Sequence, residues 1–210
     1  MNGGYFAEFG YVGNETTGAV PGAETVWTVE GNAALTPETP VTLSFVNDKG
    51  LTFKRTISVD PKYMFKISDT VTNAGGSPVS LSSYGRATRF GKPEVASIYV
   101  LHEGLVGYVS SAKLLEWTYS AIEDDKEVKP EKAAEGWVGI TDKYWAAALI
   151  PSTKQPFQPR FSYFDDGRPR YQSDYISDPV TVAPGASETV ENLFFAGAKK
   201  VDAINGYEEE

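Results

Sequence analysis

The stretch Gly136–Pro151, GWVGITDKYWAAALIP, constrains the fold more than any other part of this chain. Two short apolar runs, Trp137–Ile140 and Tyr144–Ile150, flank the polar trio Thr141-Asp142-Lys143, a composition that lets two strands turn back on each other. The second run, YWAAALI, has no charge and no alternating polar positions, so as a strand it is expected to be covered on both faces. A buried helix reads similarly, but Pro151 stops the run short of the roughly ten residues a helix needs. Ala146, Ala147 and Ala148 leave room for a neighbouring sheet, while Trp145 and Leu149 supply bulk.

The flanking sequence repeats the β pattern. In Val41–Val46 the apolar Val41, Leu43 and Phe45 alternate with Thr42 and Ser44; Asn47-Asp48-Lys49-Gly50 then reads as a turn. Leu51–Val59 returns with Leu51, Phe53, Ile57 and Val59 on one side and Arg55 as the single exception. Tyr63–Val71 alternates again, with Tyr63, Phe65, Ile67 and Val71 against Lys66, Ser68 and Thr70. Further strands are expected at Tyr5–Val12, Thr25–Val29, Val79–Phe90, Ile98–Leu101, Leu105–Val109, Leu114–Ile122, Phe161–Phe164, Arg170–Ile176, Val180–Val182 and Thr189–Phe195. Such spacing, punctuated by Gly, Pro and Asn and without helical crossovers, points to an antiparallel sandwich. Length alone allows one large all-β domain or two small ones.

Two segments break the pattern. Glu123–Glu135, EDDKEVKPEKAAE, interleaves Lys126, Lys129 and Lys132 with carboxylates and is expected to be a solvated loop. From Ala198 onward Val201, Ile204 and Tyr207 recur every third residue, which predicts a short helix over 198–210 docked on the sandwich by that stripe. Its acidic, uncapped tail suggests that the natural polypeptide continues.

Composition narrows the function. The net charge of -9 disfavours nucleic acid and an anionic leaflet as partners. No run is long enough to span a bilayer, and MNGGYFAEF lacks a signal peptide's basic and apolar regions, so the chain as given is expected to be soluble. Cysteine is absent, which excludes thiol chemistry, and one histidine leaves a transition-metal site short of ligands. His102 and Glu103, adjacent on a strand, would point to opposite faces; Asp165-Asp166 before Gly167 is turn chemistry. No nucleophile elbow, phosphate loop or dinucleotide fingerprint is present, so no catalytic, cofactor-binding or metal-binding residue is expected. The tryptophans Trp27, Trp117, Trp137 and Trp145 are expected mainly to fill the core, although exposed ones could line a groove.

The pattern G-W-V-x-x-x-D-K-Y-W-A-A-A-x-I-P over Gly136–Pro151 resembles the large periplasmic domain of the YidC membrane protein insertases. Val41–Ser83, Gly104–Ala121 and Leu193–Tyr207 resemble that family in the same order, so the likeness covers most of Tyr5–Glu210. The resemblance implies an all-β, antiparallel β-supersandwich similar to galactose mutarotase, with a C-terminal helix leading toward the membrane. It also implies a non-catalytic, cofactor-free periplasmic module of a Gram-negative inner-membrane protein. Its implied partners are nascent membrane proteins and accessory subunits of the Sec translocon. The family's first strands are missing, and Met1–Gly4 reads as a scar of expression, so an unprotected sheet edge predicts a dimer by strand pairing. The alternative is a carbohydrate-binding or mutarotase-like enzyme on the same sandwich, which would need His102 to face a carboxylate across a pocket.

Overall fold

In the computed structural model the described residues are 4–93, 102–110 and 113–199. In chain order they form β1 (Tyr5–Val12), β2 (Thr28–Glu30), β3 (Val41–Val46), β4 (Leu51–Val59), β5 (Met64–Asn73), β6 (Val79–Phe90), β7 (Gly104–Val109) and β8 (Lys113–Thr118). Helix α1 (Tyr119–Asp125) follows. The remaining strands are β9 (Glu127–Val128), β10 (Gly136–Thr141), β11 (Trp145–Ile150), β12 (Phe157–Phe164), β13 (Arg170–Ser177), β14 (Val180–Val182) and β15 (Ser187–Ala198).

All strand pairs are antiparallel. The smaller sheet runs β1-β6-β13-β12-β9, with β14 beside the start of β6; the nine-stranded sheet runs β2-β3-β4-β5-β15-β11-β10-β7-β8. The inner faces meet in two apolar clusters. One gathers Leu105, Val138, Ile140, Leu149, Phe157, Phe161, Tyr171 and Tyr175; the other gathers Tyr11, Leu51, Phe53, Val71 and Leu81. Burying such side chains contributes about 1.5–3 kcal/mol each, which explains why the period-two pattern sets the register.

The β3–β4 hairpin shows local sequence acting on packing. Gly50 takes φ 82°, and the side-chain oxygen of Asn47 accepts from the backbone N–H of Lys49 and Leu51, both at 3.0 Å. The Asn47 amide also donates to Thr17 O and Ala19 O at 2.7 Å, fastening the long 13–27 connection to the turn.

The central run departs from its expected burial. In β11 Ala147 and Leu149 face the core, but Ala146, Ala148 and Ile150 lie half-buried on the outer side of the sheet. Tyr144 and Trp145 stand 66% and 58% exposed. The reason is positional: the second sheet covers only the inner face, and its edge strand β1 begins at Tyr5, level with Trp145.

Leu114–Ile122, expected as one strand, is β8 followed by α1. Thr118 remains extended (φ -63°, ψ 159°) and its hydroxyl accepts from Ala121 N at 3.2 Å, a helix N-cap that ends the strand. Tyr119 and Ile122, one turn apart, bury the helix against the core. The charged connection is also more structured than a solvated loop. β9 pairs with β12, Ala133 is buried with its backbone bonded twice to Phe157, and Lys132 pairs with Asp178 at 2.5 Å. Ala198, the expected start of the C-terminal helix, is the last residue of β15. The rest of that segment, with Val201, Ile204 and Tyr207, and the strand expected at Ile98–Leu101 lie outside the described residues.

Candidate functional site

An apolar groove opens between the edge of the smaller sheet and the middle of the larger one. Tyr5, Phe6 and Ala7 of β1 form one wall; Trp145, Ala146 and Ala147 of β11 with Phe194, Ala196 and Gly197 of β15 form the floor. It encloses about 330 Å³. The small residues of the floor are paired, Ala147 with Ala196 and Ala146 with Gly197, and a cleft forms where large side chains would fill the space. Among the described residues no strand lies beyond β1 on this side. The far half of that edge is occupied, since Phe9 O accepts from Arg55 Nη1 at 2.9 Å and Tyr11 N donates to Pro21 O at 2.8 Å. Beside Tyr5 and Ala7 the edge faces the groove instead.

A polar latch closes one end. Asp142, from the β10–β11 turn, accepts from Arg89 Nε at 2.7 Å and from the hydroxyls of Tyr5 and Tyr119 at 2.5 Å. Burial pushes both phenols well above their ordinary range, and Asp142 adds to the shift. Burial works against the Arg89 charge, but the hydrogen bond to Asp142 together with the surrounding Tyr119, Asp142 and Tyr5 oxygens outweighs it, and its pKa is raised. All the polar groups satisfy one another, so the latch fastens β1, β6, α1 and the β10–β11 turn together. It offers no free acid or base.

The residues that the sequence offers for chemistry remain apart. His102 Nε2 lies 3.1 Å from Leu105 O, and its Nδ1 is 4.0 Å from a Glu116 carboxylate oxygen, beyond hydrogen-bond reach. Asp166 is tied to Arg170 within the exposed 165–169 turn. No group of three or more His, Cys, Asp or Glu among the described residues could hold a metal ion. Trp27 and Trp117 are half-buried against the two apolar clusters, as core-filling rings; Trp137 is half-buried outside both clusters, and Trp145 is exposed.

Sequence reasoning passed over one interior feature. Arg55 and Asp69 are cross-strand partners, 8% and 5% exposed, joined by two 2.7 Å bonds. Both interrupt inward-facing apolar series, and their matched registers were the available signal. The hydroxyls of Tyr11 and Tyr175 are buried without a hydrogen-bond partner, and burial with the Asp69 charge raises both phenol pKa values.

The model of the YidC periplasmic domain matches residues 1–210. The chain belongs to that family. It is 62% identical over 207 residues to a membrane protein insertase YidC from Mesorhizobium japonicum, covering 99% of this chain and 34% of that relative. It is 60% identical over 206 residues to one from Brucella melitensis, covering 98% and 34%. This YidC periplasmic domain thus spans about a third of the length of those relatives. Among solved structures, a putative aldose 1-epimerase from Klebsiella pneumoniae superposes with a TM-score of 0.52 at 12% identity, over 81% of this chain and 53% of that one. An alpha-galactosidase from Lactobacillus brevis gives 0.52 at 11%, over 93% and 30%. At such identities the likeness is one of fold: an antiparallel, galactose mutarotase-like sandwich, as expected from the sequence.

Proposed function

We propose that this chain is the non-catalytic periplasmic domain of a YidC-type insertase in a Gram-negative inner membrane, assisting the insertion and folding of membrane proteins by docking partners. The observation that carries the reading is the family match over the whole chain, joined to about 60% identity with insertases along nearly all of it. The groove beside β1 gives the docking role a physical basis. An extended apolar segment of a nascent membrane protein can add its backbone to the edge at Tyr5–Ala7 while its side chains fill the space above Ala147 and Ala196. Accessory subunits of the Sec translocon are the second class of partner. Without an occupant, the same edge supports pairing with another copy of the chain. Val201, Ile204 and Tyr207 hold a C-terminal helix on the sandwich in this reading, and replacing all three by Ser is expected to speed hydrogen exchange there.

The test is photocrosslinking in the full-length insertase. A reactive residue at Phe6 or Ala196 should capture nascent inner-membrane proteins or translocon subunits, and one at exposed Val46, on the opposite face, should not. Equal capture from all three positions, or none from the groove, refutes the docking role.

A further inference from the structure

One end of the sandwich carries an exposed aromatic tip of which the groove takes up only Trp145. Tyr63 is 61% exposed, alongside Tyr144 and Trp145. They come from two turns, β4–β5 and β10–β11, which the sheet brings together. Ala196 N donates to Tyr63 O at 3.3 Å, Lys199 N donates to Tyr144 O at 2.9 Å, and Trp145 pairs with Ala198. Tyr63 also holds φ 68°, a left-handed conformation that disfavours an aromatic residue; the Asp60 carboxylate fixes the turn by accepting from Lys62 N and Met64 N at 2.8 Å. Strain at a residue that leaves most of its surface in solvent points to a use of the ring outside the fold.

We propose that this tip rests in the interface of a lipid bilayer bearing anionic headgroups. Trp and Tyr combine an apolar body with a polar edge, which suits them to the headgroup region, and lysine stems reach from there to phosphate. Lys62 directly precedes Tyr63 and Lys143 directly precedes Tyr144-Trp145, and Lys143 Nζ lies 5.2 Å from the Tyr144 ring centre. Around the tip the exposed cations Lys62, Lys143 and Lys199 outnumber the carboxylates Asp60 and Asp142, and Asp142 is already neutralised by the buried Arg89. Farther along the same end, Asp165 and Asp166 are matched by Arg168 and Arg170. The overall charge of -9 therefore does not govern this surface, because fields fade over about 10 Å in physiological salt. Gly4, whose carbonyl accepts from Phe90 N, and Lys199, which donates to Tyr144 O, both lie at this end. A protein partner seated in the groove would leave Tyr63 and Tyr144, which do not line it, uncovered.

The inference takes its setting from the proposed function but is tested by lipid alone. The 210-residue chain is mixed at low salt with vesicles of phosphatidylcholine, with and without phosphatidylglycerol, and with brominated lipid as a quencher of tryptophan fluorescence. Binding should require phosphatidylglycerol, and Lys143→Ala should weaken it about fivefold. Brominated lipid should quench the native chain, and Trp145→Phe, which keeps Trp27, Trp117 and Trp137, should abolish the quenching. Tyr63→Ser with Tyr144→Ser should release the chain from vesicles. Quenching that survives Trp145→Phe, or absence of binding, overturns the proposal. So does faster exchange of residues 200–210 in the tyrosine variant with unchanged lipid binding, because the tip would then be covered by the chain's own end. Lipid binding without groove crosslinks would refute partner docking alone; the converse would refute the membrane tip alone.

Discussion

Removing the Asp69 carboxylate should be among the most damaging single changes in this domain. Arg55 and Asp69 are nearly water-free, and the guanidinium spans three acceptors: both Asp69 oxygens at 2.7 Å and Phe9 O at 2.9 Å on the opposite sheet. Asp69→Asn keeps the volume but leaves a buried cation without its counter-charge, for which about 3–5 kcal/mol of lost stability is expected. Arg55→Met should lose a similar amount by stranding the carboxylate, and it also leaves Phe9 O unpaired. Arg55→Met with Asp69→Leu removes both charges, so its remaining deficit is chiefly the orphaned Phe9 carbonyl, about 1–3 kcal/mol. Urea unfolding of the parent, Arg55→Met, Asp69→Leu and the double variant closes a double-mutant cycle, and the double variant should be more stable than either single one. Hydrogen exchange should report faster opening of β1 in both variants lacking Arg55. Single variants that each lose less than about 1 kcal/mol, or losses that simply add, would refute this account.

Asp142→Ala should release Arg89, Tyr5 and Tyr119 together and lose about 3 kcal/mol, with β1 exchanging faster while β3 and β4 are unchanged. Tyr84, partly buried and donating to Glu8, has its phenol pushed from 10.0 to about 12. A folded pKa above the unfolded one gives stability that is complete below about pH 10 and falls as pH rises through about 12. Urea midpoints should therefore decline across that window, and Tyr84→Phe should shallow the decline. Gly139 has the Ala147 carbonyl where a Cβ would stand, so Gly139→Ala should lose about 1–3 kcal/mol in thermal unfolding; an unchanged midpoint would show that β10 and β11 can separate there.

The strands were legible because side chains alternate between their two faces and turn residues bound them: Val41–Val46, Leu51–Val59 and Val79–Phe90 begin and end where alternation and turn residues put them. Helix α1 was missed although Thr118 and the three-residue spacing of Tyr119 and Ile122 were in view; seven residues are too few for a period to stand out from a preceding strand. Exposure of Trp145 was not readable locally, because it depends on where the other sheet stops. The latch was least legible of all. Tyr5 and Asp142 lie 137 positions apart, and each alone looks like an ordinary surface residue. The family pattern at Gly136–Pro151 identified the fold without revealing which of its residues face outward.

The last described strand is also the middle one. With β2, β3, β4 and β5 on one flank and β11, β10, β7 and β8 on the other, β15 joins two half-sheets that, among the described residues, share no other hydrogen-bonded strand pair. A chain emerging from its N-terminus therefore carries two unfinished β surfaces until β15 has appeared. Assembly must wait for that keystone, and premature termination before Ser187 would leave both halves with open edges suited to aggregation.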